Sequence, residues 1–118
     1  MEGYWITHFS AGTAQGDGIA MLHGGELLGG DLERIWRGTY EEEDQKVYMR
    51  VRLSPFVRRE GEEMMARERP VIMTLEGTCT EDAATLAGHP DQREDVLVHV
   101  EMRKCKAMRS PAPLRQAA

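Results

Sequence analysis

The sequence predicts an all-β protein, a small antiparallel meander of eight strands closed into a barrel, and three observations carry that prediction. Apolar and polar residues alternate at the two-residue period of a half-buried strand, most clearly in Lys46 to Leu53 and Asp95 to Lys104. Glycine breaks recur through Gly16 to Tyr40 at hairpin intervals, with Gly24-Gly25 set between Ile19 to Leu22 and Glu26 to Leu28. Eight strand candidates result, and about eight strands are what it takes to close around a filled or ligand-sized interior. A meander of this kind must hide its apolar face by closing or by packing on a second sheet.

Taken in order, the first strand runs from Gly3 to Phe9, with Trp5, Thr7 and Phe9 inward and Tyr4, Ile6 and His8 outward. Ser10 to Asp17 reads as a polar loop leading into a second strand, Gly18 to Leu22. Glu26 to Gly29 forms the third and Glu33 to Tyr40 the fourth, separated by Gly29-Gly30-Asp31, where glycine marks a bend. Glu41, Glu42, Glu43 and Asp44 are assigned to a turn, because like charges stacked on paired strands repel. The fifth strand, Lys46 to Leu53, turns Val47, Met49, Val51 and Leu53 inward.

Ser54 to Pro70 has no strand period. It is read as a short helical excursion across one end of the sheet, with Ser54 and Pro55 opening a turn and Glu62 to Glu68 as its better helical piece. Strands resume at Val71, with a turn over Cys79 to Asp82. A short strand from Ala83 to Ala87 and a polar loop from His89 to Glu94 come next. The last strand, Asp95 to Lys104, points Val96, Val98, Val100 and Met102 inward. Residues 1–105 thus make one domain, and 106–118 a flexible tail with two prolines. Gly38-Thr39 and Gly77-Thr78 both precede acidic turns, an echo too short to be a repeat.

Composition narrows the function. With 118 residues, 41% hydrophobic and 30% charged, and a net charge of −5, the chain is an ordinary single domain with a real core. Basic residues are interleaved with acidic ones, which argues against nucleic acid as a direct partner. No signal peptide and no apolar run long enough to span a bilayer is visible, so a membrane role is not expected. Cys79 and Cys105 are too few for a disulfide-stapled scaffold, and a cytoplasmic protein with reduced thiols is the default.

The sequence offers no catalytic constellation. His8, His23, His89 and His99 lack metal-ligand spacing, neither cysteine has a CxxC partner, and no Walker loop, GxSxG elbow or dinucleotide fingerprint is present. No enzyme, metal or cofactor is expected. Two features remain as candidates. The carboxylates of Glu41, Glu42, Glu43 and Asp44 either keep a hairpin tip soluble or form a negative patch that orients a basic protein partner. Trp5, Trp36 and Met49 either fill the interior or line a pocket for a small apolar ligand. Tyr4 with Ile6, and Leu97 beside His99, put apolar groups on outward faces, which a homodimer interface or the excursion of the same chain would cover.

The order G-Y-W-I-T-H-F, then G-D-G-I, a glycine turn, L-L-G-G-D, an aromatic with G-T-Y, and an acidic run resembles the GrlR-like negative regulators associated with bacterial type III secretion. The resemblance covers Gly3 to about Leu53; the remainder agrees in general β character. It implies a lipocalin-like barrel, a homodimer and an antiactivator whose exposed acidic motif binds and silences a transcriptional activator. That motif falls on Glu41, Glu42, Glu43 and Asp44. Here three glutamates precede one aspartate, where the family alternates the two.

Overall fold

In β5 (Lys46–Pro55) Val47, Met49, Val51 and Leu53 are buried and Lys46, Tyr48, Arg50 and Arg52 exposed, and that alternation sets the wall of the molecule. The computed structural model describes residues 1–55 and 70–106. Its other strands are β1 (Gly3–Ala11), β2 (Ala14–His23), β3 (Glu26–Gly30), β4 (Arg34–Glu43), β6 (Val71–Cys79), β7 (Ala83–Pro90) and β8 (Val98–Lys104). Each pairs antiparallel with its neighbours in chain order, and β1 pairs with β8, closing the eight-stranded barrel that the alternation predicts. Closure gives every described strand a partner on both sides. Inward side chains of every strand meet in one core around Trp5, Leu22, Met49, Leu86 and Val98.

Several boundaries differ from the sequence reading, for physical reasons. The polar loop expected over Ser10 to Asp17 is mostly strand: β1 and β2 stay paired to Ala11 and Ala14, leaving a turn of Gly12 and Thr13. Its polar residues extend the hairpin past the core, where both faces are wet and alternation vanishes. The acidic run is strand too, since Glu41, Glu42 and Glu43 end β4. They face Tyr48, Val47 and Lys46, so no carboxylate is stacked on another across the β4–β5 pair. Ser54 and Pro55 lie in β5 rather than in a helical turn. Pro55 sits opposite Arg34 at the strand end, beyond the last β5–β6 pair at Leu53 and Val71, where a missing N–H is tolerated. Cys79 closes β6 as an inward residue, Gly88 to Pro90 prolong β7, and β8 starts at Val98, so Asp95 to Leu97 belong to the connection. The helical piece expected over Glu62 to Glu68 and the tail beyond Lys106 lie outside the described residues.

The echo between Gly38 and Gly77 has a structural cause. Both face inward on strands flanking β5, and a Cβ at either would drive into a neighbouring carbonyl oxygen, that of Arg50 or Thr85. Only glycine allows so close an approach.

The barrel has two unlike ends. The hairpin end carries the Gly24-Gly25 turn, with φ of 60° and 84°, the Asp44-Gln45 turn and the Thr80 to Asp82 turn. The mouth end carries the Gly12-Thr13 turn, the β3–β4 turn capped by Asp31, and the β7–β8 connection. There Arg50 and Thr74 donate to Asp91 at 2.8 and 2.9 Å.

Candidate functional site

Strand parity divides the four candidate carboxylates. Glu42 points to the interior side at the hairpin end, where it pairs with the Met1 ammonium and accepts from the Cys79 thiol at 3.5 Å. The hydrogen bond from that ammonium holds the Glu42 carboxyl below the usual range, while burial, and then the Glu42 charge, push the Cys79 thiol up. Glu41 and Glu43 point outward. Asp44 makes the turn with Gln45, at φ of 53° and 69°, left-handed geometry that a two-residue hairpin needs and that aspartate tolerates better than most residues.

The outward carboxylates have neighbours that the linear sequence hides. Glu41 is opposite Tyr48 on β5, and Tyr48 is opposite Glu76 on β6, so two carboxylates flank one exposed phenol in a single row. Glu43, Lys46 and Thr78 form the next row. The depression between them has a volume of about 410 Å³. Among the described residues Glu41, Glu43 and Glu76 make no ion pair, Lys46 included.

The interior candidates are divided as well. Trp36 and Met49 share the wall of an apolar cavity of about 40 Å³, with Thr7, Phe9 and Met73 among its other residues. Trp5 lies toward the hairpin end, its indole N–H donating to the Met1 carbonyl at 3.0 Å and the Lys104 ammonium 5.8 Å from its ring. At the mouth end Phe9 meets Trp36 edge-on, with ring centroids 6.0 Å apart.

A third feature is the outer wall of β1 to β4. Ile6, Ile19, Gly30 and Ile35 form one cross-strand row, and Tyr4, Met21 and Leu28 the row beside it. Ile6 is 51% exposed, Ile19 48%, and Leu28 and Ile35 41% each. Of the outward apolar residues expected from sequence, Ile6 and Leu97 are exposed and Tyr4 is buried. Among the described residues no three His, Cys, Asp or Glu side chains gather as a metal site, and no helix is long and apolar enough to cross a membrane. Both cysteines are free thiols.

Comparison with known proteins returns no matching family model and no matching curated protein.

Proposed function

We propose that the protein is a non-enzymatic cytoplasmic regulator that captures a basic segment of a protein partner on the outer wall beside the β4–β5 hairpin. The GrlR-like resemblance makes a transcriptional activator the partner and antiactivation the outcome. One observation carries the reading: Glu41 and Glu76 flank Tyr48, with Glu43 in the next row, on an exposed wall with no cation paired to them among the described residues. Such a surface raises the rate and sets the orientation of association with a basic partner. Glu42, turned to the Met1 ammonium, has no part in it. A capture experiment from cell lysate tests the division. Glu41→Lys with Glu43→Lys is expected to abolish retention of a DNA-binding regulator, and Glu42→Gln to retain it. Equal loss in both variants would reject the outward surface as the site.

The apolar rows on β1 to β4 favour a second element of the same reading, a homodimer. Four large aliphatic side chains, each about half exposed and in contiguous rows, form a patch of the kind that subunit interfaces cover. Ile19→Lys is expected to convert a dimer into a monomer in sedimentation at micromolar concentration. A wild-type protein that sediments as a monomer would dispose of the interface.

A further inference from the structure

Two arginines oppose each other on the outer wall. Arg37 on β4 is the cross-strand partner of Arg52 on β5, and both are exposed. Like charges directly opposite destabilise a strand pair, and the acidic run on the same two strands avoids that arrangement. The neighbouring cations are neutralised, Arg50 by Asp91 at 2.8 Å and Arg34 by Glu33 at 3.6 Å. Among the described residues neither Arg37 nor Arg52 has a carboxylate within ion-pair distance. Residues 56–69, which join β5 to β6, hold as many arginines as glutamates and so bring no net charge to the pair. Two guanidiniums whose side chains start about 5 Å apart are left to share one anion.

The surroundings narrow what that anion carries. Both arginines line a depression of about 420 Å³, in the range of small-molecule sites, together with Met21, Leu28, Thr39 and Glu26. Met21, Leu28, Arg37, Arg52 and Ile72 form one row across five strands, so the charged pair has apolar side chains on both flanks. A doubly charged head suits two guanidiniums better than a carboxylate does. A phosphate monoester brings nearly two negative charges and three acceptor oxygens at neutral pH, enough to engage both forks. Its ester group would then lie over Leu28 toward Met21, two strand spacings or about 10 Å from Arg37. No Phe, Tyr or Trp lines the depression among the described residues, so an alkyl chain fits it better than a flat ring that needs a stacking partner. Glu26 is the one carboxylate of the lining, and it repels an anion from the β3 edge.

We propose that the outer wall of β3 to β5 binds the phosphate monoester of an aliphatic alcohol, its phosphate held by Arg37 and Arg52 and its chain lying over Leu28 and Met21. The site is separate from the acidic wall, since Glu41, Glu43 and Glu76 line none of it. Ile6, Ile19 and Ile35 also stand outside it.

Binding is read on the isotopically labelled full-length chain, from the Arg37 and Arg52 Nε–H signals and the Leu28 methyl signals. Hexyl phosphate is titrated beside inorganic phosphate, hexanoate and hexanol. Ile19→Lys is titrated too, so that a second copy over the aliphatic rows cannot mask the result. Hexyl phosphate is expected to move all of these signals saturably and to bind more tightly than inorganic phosphate or hexanoate, each of which lacks part of the match. Hexanol should leave the arginine signals in place. Arg37→Gln and Arg52→Gln should each weaken binding roughly three- to tenfold, between the loss expected for an exposed ion pair and for a buried one. Glu26→Gln should tighten it, and Arg103→Gln, on β8 outside the depression, should leave it unchanged. Arginine signals unmoved in both proteins up to the solubility limit, or hexyl phosphate no tighter than inorganic phosphate, would overturn the proposal without recourse to any arginine variant. An equal loss in Arg103→Gln and Arg52→Gln would overturn it as well, by reducing the effect to general surface charge.

Discussion

The hairpin end and the mouth end of this barrel are made by the same eight strands and are held together differently. At the hairpin end Trp5 pairs with Met1, Glu42 with the Met1 ammonium and Cys79, and Tyr40 with Glu2 at 3.3 Å, while the buried Tyr4 Oη has no partner among the described residues. Glu2 also accepts from the Gly24 amide at 2.7 Å. The mouth end has an apolar cavity and, at Trp36, an indole N–H with no acceptor among the described residues. Side-chain hydrogen bonds to the first two residues tie the hairpin end together, and the mouth end keeps a void in its core. The outer walls repeat the division, with unpaired carboxylates near the hairpin end and unpartnered aliphatic rows on β1 to β4.

Stability should follow the same division. Trp5 is 1% exposed, and truncating a fully buried tryptophan to alanine costs about 3–5 kcal/mol, so Trp5→Ala should shift the urea midpoint strongly or leave the chain unfolded. Trp36→Ala should cost less, by about 1–2 kcal/mol, because the same truncation also removes an unpaired donor that was itself destabilising. The loss at Trp36 joins a cavity already present instead of opening a new one. Equal midpoints for the two variants would erase the energetic contrast between the ends.

Much of this was legible before any coordinates. Val47, Met49, Val51 and Leu53 announce their buried face by period alone, and Gly24-Gly25 announces a turn by the backbone it must adopt. What failed was parity and reach. Charge repulsion within the acidic run points to a turn only while its cross-strand partners are unknown, and Tyr48, Val47 and Lys46 remove that repulsion. Once Asp44 and Gln45 are known as a two-residue turn, the pairing of Glu41 with Tyr48 follows. The pairing of Tyr48 with Glu76 does not, because the chain between β5 and β6 has no turn chemistry that sets a register. Trp5 and Trp36 looked equivalent for a similar reason. Both face inward, and period reports the face of a strand but not the depth along a barrel.

The smallest expected effect is a pH dependence at the hairpin end. Glu42 is held below the ordinary carboxyl range chiefly by the hydrogen bond from the Met1 ammonium, and burial opposes this only in part. A carboxyl depressed in the folded chain stabilises above its unfolded value, near 4.5, and that stabilisation is lost as pH falls through the lower folded value. Glu2, lowered mainly by the Gly24 amide, acts in the same sense at the same end. At the mouth end Asp95, lowered by its hydrogen bond from Arg93, acts in the same sense. Glu42→Gln should therefore leave the thermal midpoint nearly unchanged at low pH, reduce it slightly at neutral pH, and flatten the slope between. A half-exposed ion pair is worth below about 1 kcal/mol, so the comparison needs both proteins scanned from neutral pH to about pH 3 under one buffer series. Parallel curves would mean that the Met1–Glu42 pair is a contact without consequence, and the hairpin end would then owe its closure to Trp5 packing, the Glu2 contacts and the strand ladder.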